Sequence, residues 1–226
     1  MSLEESFSNT LKNTDYDAIW EKNKSLKWCV LATTGRTGTD FFQSLLDSHP
    51  EIFGFNGSLY FHTIWESAVS IRASTSPVLS DFLDEFIGSI IGKLKSQYDI
   101  EEKKNKLGRK KNESLNIDIQ EFRYHITNLM LNREVTSRNV LISVYISYAL
   151  CIGQEIQNKK VFFHHVHHVR KLESFIRDFP ESKIIVMTRD PRALYVSGVE
   201  NWRRVSSAAR HPSFPLYVLW RAVDEI

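Results

Sequence analysis

The chain has only two cysteines in 226 residues, Cys29 and Cys151, which excludes a disulfide-built scaffold. Both lie on apolar segments and read as buried thiols, compatible with a reducing compartment. Charge of one sign is also lacking. With 29 basic and 27 acidic residues the formal net charge is +2, too small for a steering field, so composition points to neither nucleic acid nor an anionic membrane. No hydrophobic run is long enough for a bilayer core of about 30 Å. The longest, residues 140–152, contains two serines and reads as a core helix. Residues 1–17 are polar and acidic, without the basic start and apolar centre of a secretory signal. A soluble, cytoplasmic protein is the expectation, with a Golgi enzyme shorn of its anchor as the alternative. Internal repeats and low-complexity tracts are missing too. What is present is 42% hydrophobic content, enough for one globular domain over 1–226 that buries about 70% of the unfolded chain's surface.

The most informative stretch is Leu31-Ala-Thr-Thr-Gly-Arg-Thr-Gly-Thr-Asp40. The apolar run Leu26–Ala32 before it reads as a strand, and Phe41, Phe42, Leu45 and Leu46 after it form a helical stripe that stops before Pro50. At a strand-loop-helix junction the first-turn N–H groups lack intrahelical partners and the helix dipole adds partial positive charge, so a phosphate or sulfate is stabilised there. Gly35 and Gly38 permit close backbone approach, and Arg36 adds a charged fork. The loop is not a Walker A motif: its glycines are three apart, and Thr39-Asp40 follows Gly38 where Lys-Ser or Lys-Thr would be needed. A plain strand-to-helix turn using glycine for backbone reasons is the alternative.

A second segment, Lys183-Ile-Ile-Val-Met-Thr-Arg-Asp-Pro-Arg-Ala-Leu-Tyr-Val-Ser197, repeats the order of strand, polar corner and helix. Ile184 to Met187 suit a central parallel strand, Asp190 suits an N-cap, and Pro191 suits the first helical position. Arg189 then falls at a strand's carboxyl end, where open α/β sheets bind ligands.

Together the two segments resemble the sulfotransferases that use 3′-phosphoadenosine 5′-phosphosulfate (PAPS). The family's 5′-phosphosulfate loop reads like G-R-[ST]-G-[ST]-T and enters a helix ending L-L-D-x-H-P; Gly35 to Asp40 followed by Ser44-Leu-Leu-Asp-Ser-His-Pro50 is similar. Its 3′-phosphate motif has an arginine at a strand end and a serine eight residues later, a spacing that Arg189 and Ser197 keep. Arg-Asp-Pro-Arg192, and Phe179-Pro180 before the strand, fit the carbohydrate and bacterial branches. The resemblance implies a three-layer α/β fold, a parallel sheet flanked by helices and P-loop NTPase-like, with a helical insertion between the two motifs. It implies a sulfuryl transfer from PAPS to a hydroxyl or amine of a small-molecule or glycan acceptor, leaving 3′-phosphoadenosine 5′-phosphate (PAP), without a metal. Gly35, Arg36, Thr37, Gly38 and Thr39 would hold the 5′ end of the donor and Arg189 and Ser197 its 3′-phosphate, with Arg36 also stabilising charge on the leaving phosphate oxygen. Asp40 departs from the family, which has a hydroxyl residue there; a carboxylate suits the helix dipole but repels phosphate, so its side chain is expected to turn away. Family members also continue to a third, Gly-rich basic segment that closes over the nucleotide; residues 216–226 read as a helix without a C-cap, and no counterpart of that segment is expected within 1–226.

Residues of about 60–158 form the expected insertion on the acceptor side. Val78, Leu79, Phe82, Leu83, Phe86, Ile87, Ile90, Ile91 and Leu94 give one apolar helical face. Phe61, Ile64, Trp65 and Ala68 predict a helix before it, and Phe122, Ile126, Leu129 and Met130 one after. Thr136 or Ser137 caps the next, which is expected to run to about Gln157. The basic run Lys103–Lys111 reads as a solvated loop, or as a guide for an anionic acceptor.

The remaining cluster is Val161-Phe-Phe-His-His-Val-His-His168. In the resembling family a strand here carries the catalytic base in some branches. Histidine suits that role because its pKa near 6.5 lets it accept a proton at neutral pH. His164 and His165 must point to opposite faces of a strand, so at most one serves; His165 is the choice, with His164 close behind. His168 matches a final histidine of glycan and bacterial members by its distance from Phe179-Pro180. A metal site and a plain polar loop are the competing readings of the cluster, and an atypical P-loop kinase or a non-catalytic nucleotide-binding scaffold are the competing readings of the chain.

Overall fold

In the computed structural model the described residues are 14–33, 36–47, 49–55, 57–72, 79–95, 115–167, 169–205, 213–216 and 218–219. The basic run Lys103–Lys111 and most of residues 216–226 lie outside them, as do Gly35 and His168. The chain divides into two compact units, one of residues 1–26 and 72–158, the other of residues 27–71 and 159–226.

The second unit holds an all-parallel sheet of four strands, β1 (Lys27–Thr33), β2 (Ile52–Gly54), β3 (Val161–Val166) and β4 (Lys183–Met187), in the order β2-β3-β1-β4. Helices α2 (Thr39–Leu46), α3 (Phe61–Arg72), α7 (Leu172–Asp178) and α8 (Pro191–Val205) accompany it. The expected α/β architecture is therefore present. Parallel register sets Leu31 opposite His165 on one side and Ile185 on the other, so those residues share a sheet face, while Trp28, Val30, Phe162 and His164 occupy the other. An aromatic core fills that second face: Trp28 lies 4.3 Å from Phe179 and 5.0 Å from Phe162, ring centre to ring centre, and His164 stacks on Phe175 at 5.1 Å. On the first face Phe42 of α2 meets Phe163 at 6.1 Å.

Two sequence expectations are corrected here. The run Ile184–Met187 suits a central strand, yet β4 is an edge of this sheet, and Ile184 and Val186 are 45% and 64% exposed. The Phe41, Phe42, Leu45, Leu46 stripe also splits. Phe42 and Leu46 are half-buried, whereas Phe41 (69%) and Leu45 (62%) face solvent, because only one side of a two-turn helix can lie on a sheet.

The first unit is helical, comprising α1 (Tyr16–Asn23), α4 (Leu79–Leu94), α5 (Ile119–Met130), α6 (Ser137–Cys151) and a 3₁₀ turn, Ile156–Asn158. The apolar face expected of α4 is inside, with Phe82, Leu83, Phe86, Ile87, Ile90 and Leu94 buried. Phe122, Ile126, Leu129 and Met130 of α5 are buried as well. Thr136, not Ser137, caps α6 by accepting a bond from the Asn139 N–H. Every residue of α6 from Val140 to Ala149 is buried, as an all-round apolar helix requires. Among the described residues no helix is long and apolar enough to cross a membrane.

The expected end of α6 at about Gln157 is six residues too late. Gly153 takes φ +63°, its N–H bonds the Leu150 carbonyl, and the Gln154 N–H bonds the Ala149 carbonyl. This paired arrangement, a Schellman motif, stops the helix at Cys151. Helix α1 was not expected, since residues 1–17 read only as polar; Asp15 caps it by accepting from the Ala18 N–H. The Arg133 guanidinium lies 4.6 Å over the Trp20 ring, anchoring α1 within its unit.

Candidate functional site

The site lies at the carboxyl ends of the central strands. From β1 the chain leaves toward β2, beyond β3; from β3 it leaves toward β4, beyond β1. The two connections part in opposite directions above β1 and β3, the topological switch point at which open parallel sheets bind ligands.

The loop after β1 has an unusual backbone. Arg36 adopts φ +55° and Gly38 φ +94°, two left-handed residues within three positions. For arginine that conformation is uncommon and costs about 1–2 kcal/mol, so the loop is held by what surrounds it. Gly38 is the N-cap of α2 and has no side chain to satisfy the helix's first N–H groups, which keep their capacity for a ligand. Thr37 and Thr39 are both buried, and the Thr37 Oγ1 has no hydrogen-bond partner. Asp40 is exposed in the first turn of α2.

The second motif closes onto the first. Asp190 caps α8 by accepting from the Arg192 N–H at 2.8 Å, leaving Pro191 at the first helical position as expected. The Arg192 guanidinium also pairs with Asp190 at 2.6 Å, which holds the Asp190 carboxyl below its ordinary range. Arg189 is thus released from its neighbouring carboxylate, and its Nη1 donates to the Arg36 carbonyl at 3.0 Å. The Arg36 Nε in turn donates to the Ser197 Oγ at 3.2 Å. Residues 153 and 161 positions apart in sequence therefore share one small bonded group, with two guanidiniums that have no carboxylate partner among the described residues.

Of the histidines, the two adjacent candidates separate. His164 is buried in the aromatic core, its ring edge-on to Trp28 and stacked on Phe175. His165 is also buried but faces the other way, its Nε2 3.3 Å from the Thr33 Oγ1 at the last residue of β1. His165 is the one placed beside the end of β1 and the loop that follows it, and its ring touches His167 at 5.5 Å. A small, half-open cleft at this end of β3 is lined by Ser58, Tyr60, His62, His164, His165, His167 and Lys171 among others.

Sequence reading missed two residues of this cleft, His62 and Lys171, and the residues of α3 and α7 that bond to them. His62 is buried, with Nε2 3.0 Å from Asp178 Oδ2. Glu66, one turn further along α3, accepts bonds from Lys171 and Ser174. Burial pushes the Glu66 carboxyl up, but the bonds from Lys171 and Ser174 outweigh it, and the net shift is downward. Spacings of 105 to 116 residues leave no local signal for these pairs; only the i, i+4 placement of His62 and Glu66 on one helix face is visible in sequence. Tyr60, just before α3, takes φ +51° and sets its ring 5.9 Å from His167.

Comparison with protein-family models, with curated proteins and with solved structures returned no match.

Proposed function

We propose that the chain is a PAPS-dependent sulfotransferase with a P-loop NTPase-like sheet unit. The observation that carries this reading is the bonded group of Arg36, Arg189 and Ser197 at the switch point. A donor with phosphate groups at both its 5′ and 3′ ends needs two anion sites on one ligand, and here two strand-to-helix corners converge. The residues fit such a donor: the buried Thr37 hydroxyl is unsatisfied, the α2 N-terminus is uncapped by a side chain, and both guanidiniums are free of carboxylates among the described residues.

In this reading the donor supplies an activated sulfuryl group. Arg36, Thr37, Gly38 and Thr39 bind its 5′ end, with Gly35, outside the described residues, completing the loop. Arg189 and Ser197 bind the 3′-phosphate through charge-assisted bonds. Arg36 would offset the negative charge that grows on the leaving phosphate oxygen, without a proton transfer. His165 takes the acceptor's proton, and the contact to Thr33 fixes its ring. The acceptor is a hydroxyl or amine of a small molecule or glycan.

Calorimetric titration with PAP, 5′-AMP and ATP, all without magnesium, tests the reading. Selective, tight binding of PAP is expected, because only PAP fills both anion sites. Preference for ATP would move the chain to the kinase reading. PAP binding without sulfuryl transfer to any of a broad acceptor panel would make it a nucleotide-binding scaffold.

A further inference from the structure

We infer that Glu121, His125 and Cys151 form a binding site for a divalent transition metal, zinc by its ligand set, in the helical unit. Glu121 and His125 stand one turn apart on α5, and Cys151 is the last residue of α6. Their donor atoms all lie within 4.8 Å of one another. Tetrahedral zinc, with bonds of about 2.0–2.3 Å, holds its donors about 3.3–3.8 Å apart, so small side-chain rotations close the set. One edge is already at that length, with His125 Nε2 3.5 Å from Glu121 Oε1.

The surroundings favour a ligand role. Tyr16 of α1 places its hydroxyl 2.8 Å from His125 Nδ1. Accepting the Nδ1–H fixes the tautomer and leaves the Nε2 lone pair directed at the other two donors, the usual outer partner of a metal-bound imidazole. A purely hydrogen-bonded His–Glu–Tyr group would account for these three residues but not for Cys151. Its sulfur stands within 4.8 Å of the Glu121 and His125 donor atoms, a position that such a group does not call for and a shared metal does. Oxygen, nitrogen and sulfur donors together suit zinc, and three protein ligands leave a fourth position for water. The site shares no residue with the phosphate loops or the histidine cleft, so it stands whether or not the sulfotransferase reading does.

The test is titration of the metal-free, reduced full chain with Co²⁺ followed by Zn²⁺. Tetrahedral cobalt is expected to give intense visible bands and a near-ultraviolet thiolate-to-cobalt band, bleached on zinc addition. Cys151→Ser should abolish the thiolate band, His125→Gln should weaken binding at least tenfold, and Cys29→Ser should change neither. Absence of any thiolate band in the wild-type protein overturns the site, whatever the variants do. So does a band lost in Cys29→Ser and kept in Cys151→Ser. Visible bands without thiolate character that vanish in His165→Gln would place the metal in the histidine cleft and likewise overturn it.

Discussion

Arg189 does two jobs that a single substitution separates. Its guanidinium holds the loop after β1 by donating to the Arg36 carbonyl at 3.0 Å, and in the proposed reading the rest of the fork meets the 3′-phosphate. Arg189→Ala removes a charge-assisted contact worth about 1.5–3 kcal/mol, so PAP binding should weaken about 10- to 150-fold. Binding of 5′-AMP, which has no 3′-phosphate, should change little. Arg189→Lys keeps the charge without the fork and should fall between. Calorimetry on the three proteins decides the matter: equal losses for PAP and 5′-AMP would mean that Arg189 only braces the loop. The neighbouring Asp190 matters here because it engages Arg192 and the α8 N-terminus, leaving Arg189 to the loop.

Helix α3 is tied to α7 and the turn before it through Glu66, which accepts from Lys171 and Ser174. Because these bonds lower the Glu66 pKa in the folded protein, its contribution is fully present above the ordinary value of 4.5 and is lost as pH falls through the lowered one. Glu66→Gln cannot make that contribution. Thermal melts are expected to show the wild-type advantage over Glu66→Gln intact at neutral pH and shrinking below pH 4.5; an advantage independent of pH would assign the difference to packing. At this scale the sequence was readable where a signal is local. Strand-to-helix corners, the α4 and α5 faces, the Thr136 cap and the Asp190-Pro191 start all follow from residues within a turn or two of one another. The end of α6 was also written locally, in Cys151-Ile-Gly153: the apolar run stops at Ile152 and a glycine follows it, although the expected helix continued to about Gln157. Ties such as His62 to Asp178 were out of reach, because nothing in either segment fixes a partner 116 positions away. The same limit hid the exposure of β4: an apolar run specifies a strand, and its place in the sheet is decided by which strands flank it.

For the whole molecule, the two units differ in how far apart their contacts lie along the chain. In the sheet unit β1 pairs with β3, Lys27 opposite Val161, so the sheet closes only after residues 72–158 have been spanned. In the helical unit α5 and α6 pack against each other and are joined by the few residues between Met130 and Ser137. Closing the longer loop costs more entropy, and non-local parallel pairing is slow, whereas a helical hairpin forms on the microsecond scale or slightly slower. An early intermediate with α5 and α6 formed and the sheet open is therefore expected, in keeping with the chain's size. Pulse-labelling hydrogen exchange during refolding should protect amides of Phe122–Met130 and Val140–Ala149 first, with those of Val30–Ala32 and Phe162–His165 following together. The joint arrival of β1 and β3 is required by their register, since neither strand can satisfy its N–H groups without the other. Sheet protection that preceded or matched that of the α5–α6 pair would show that the β1–β3 pairing nucleates folding, with the helical unit forming no earlier.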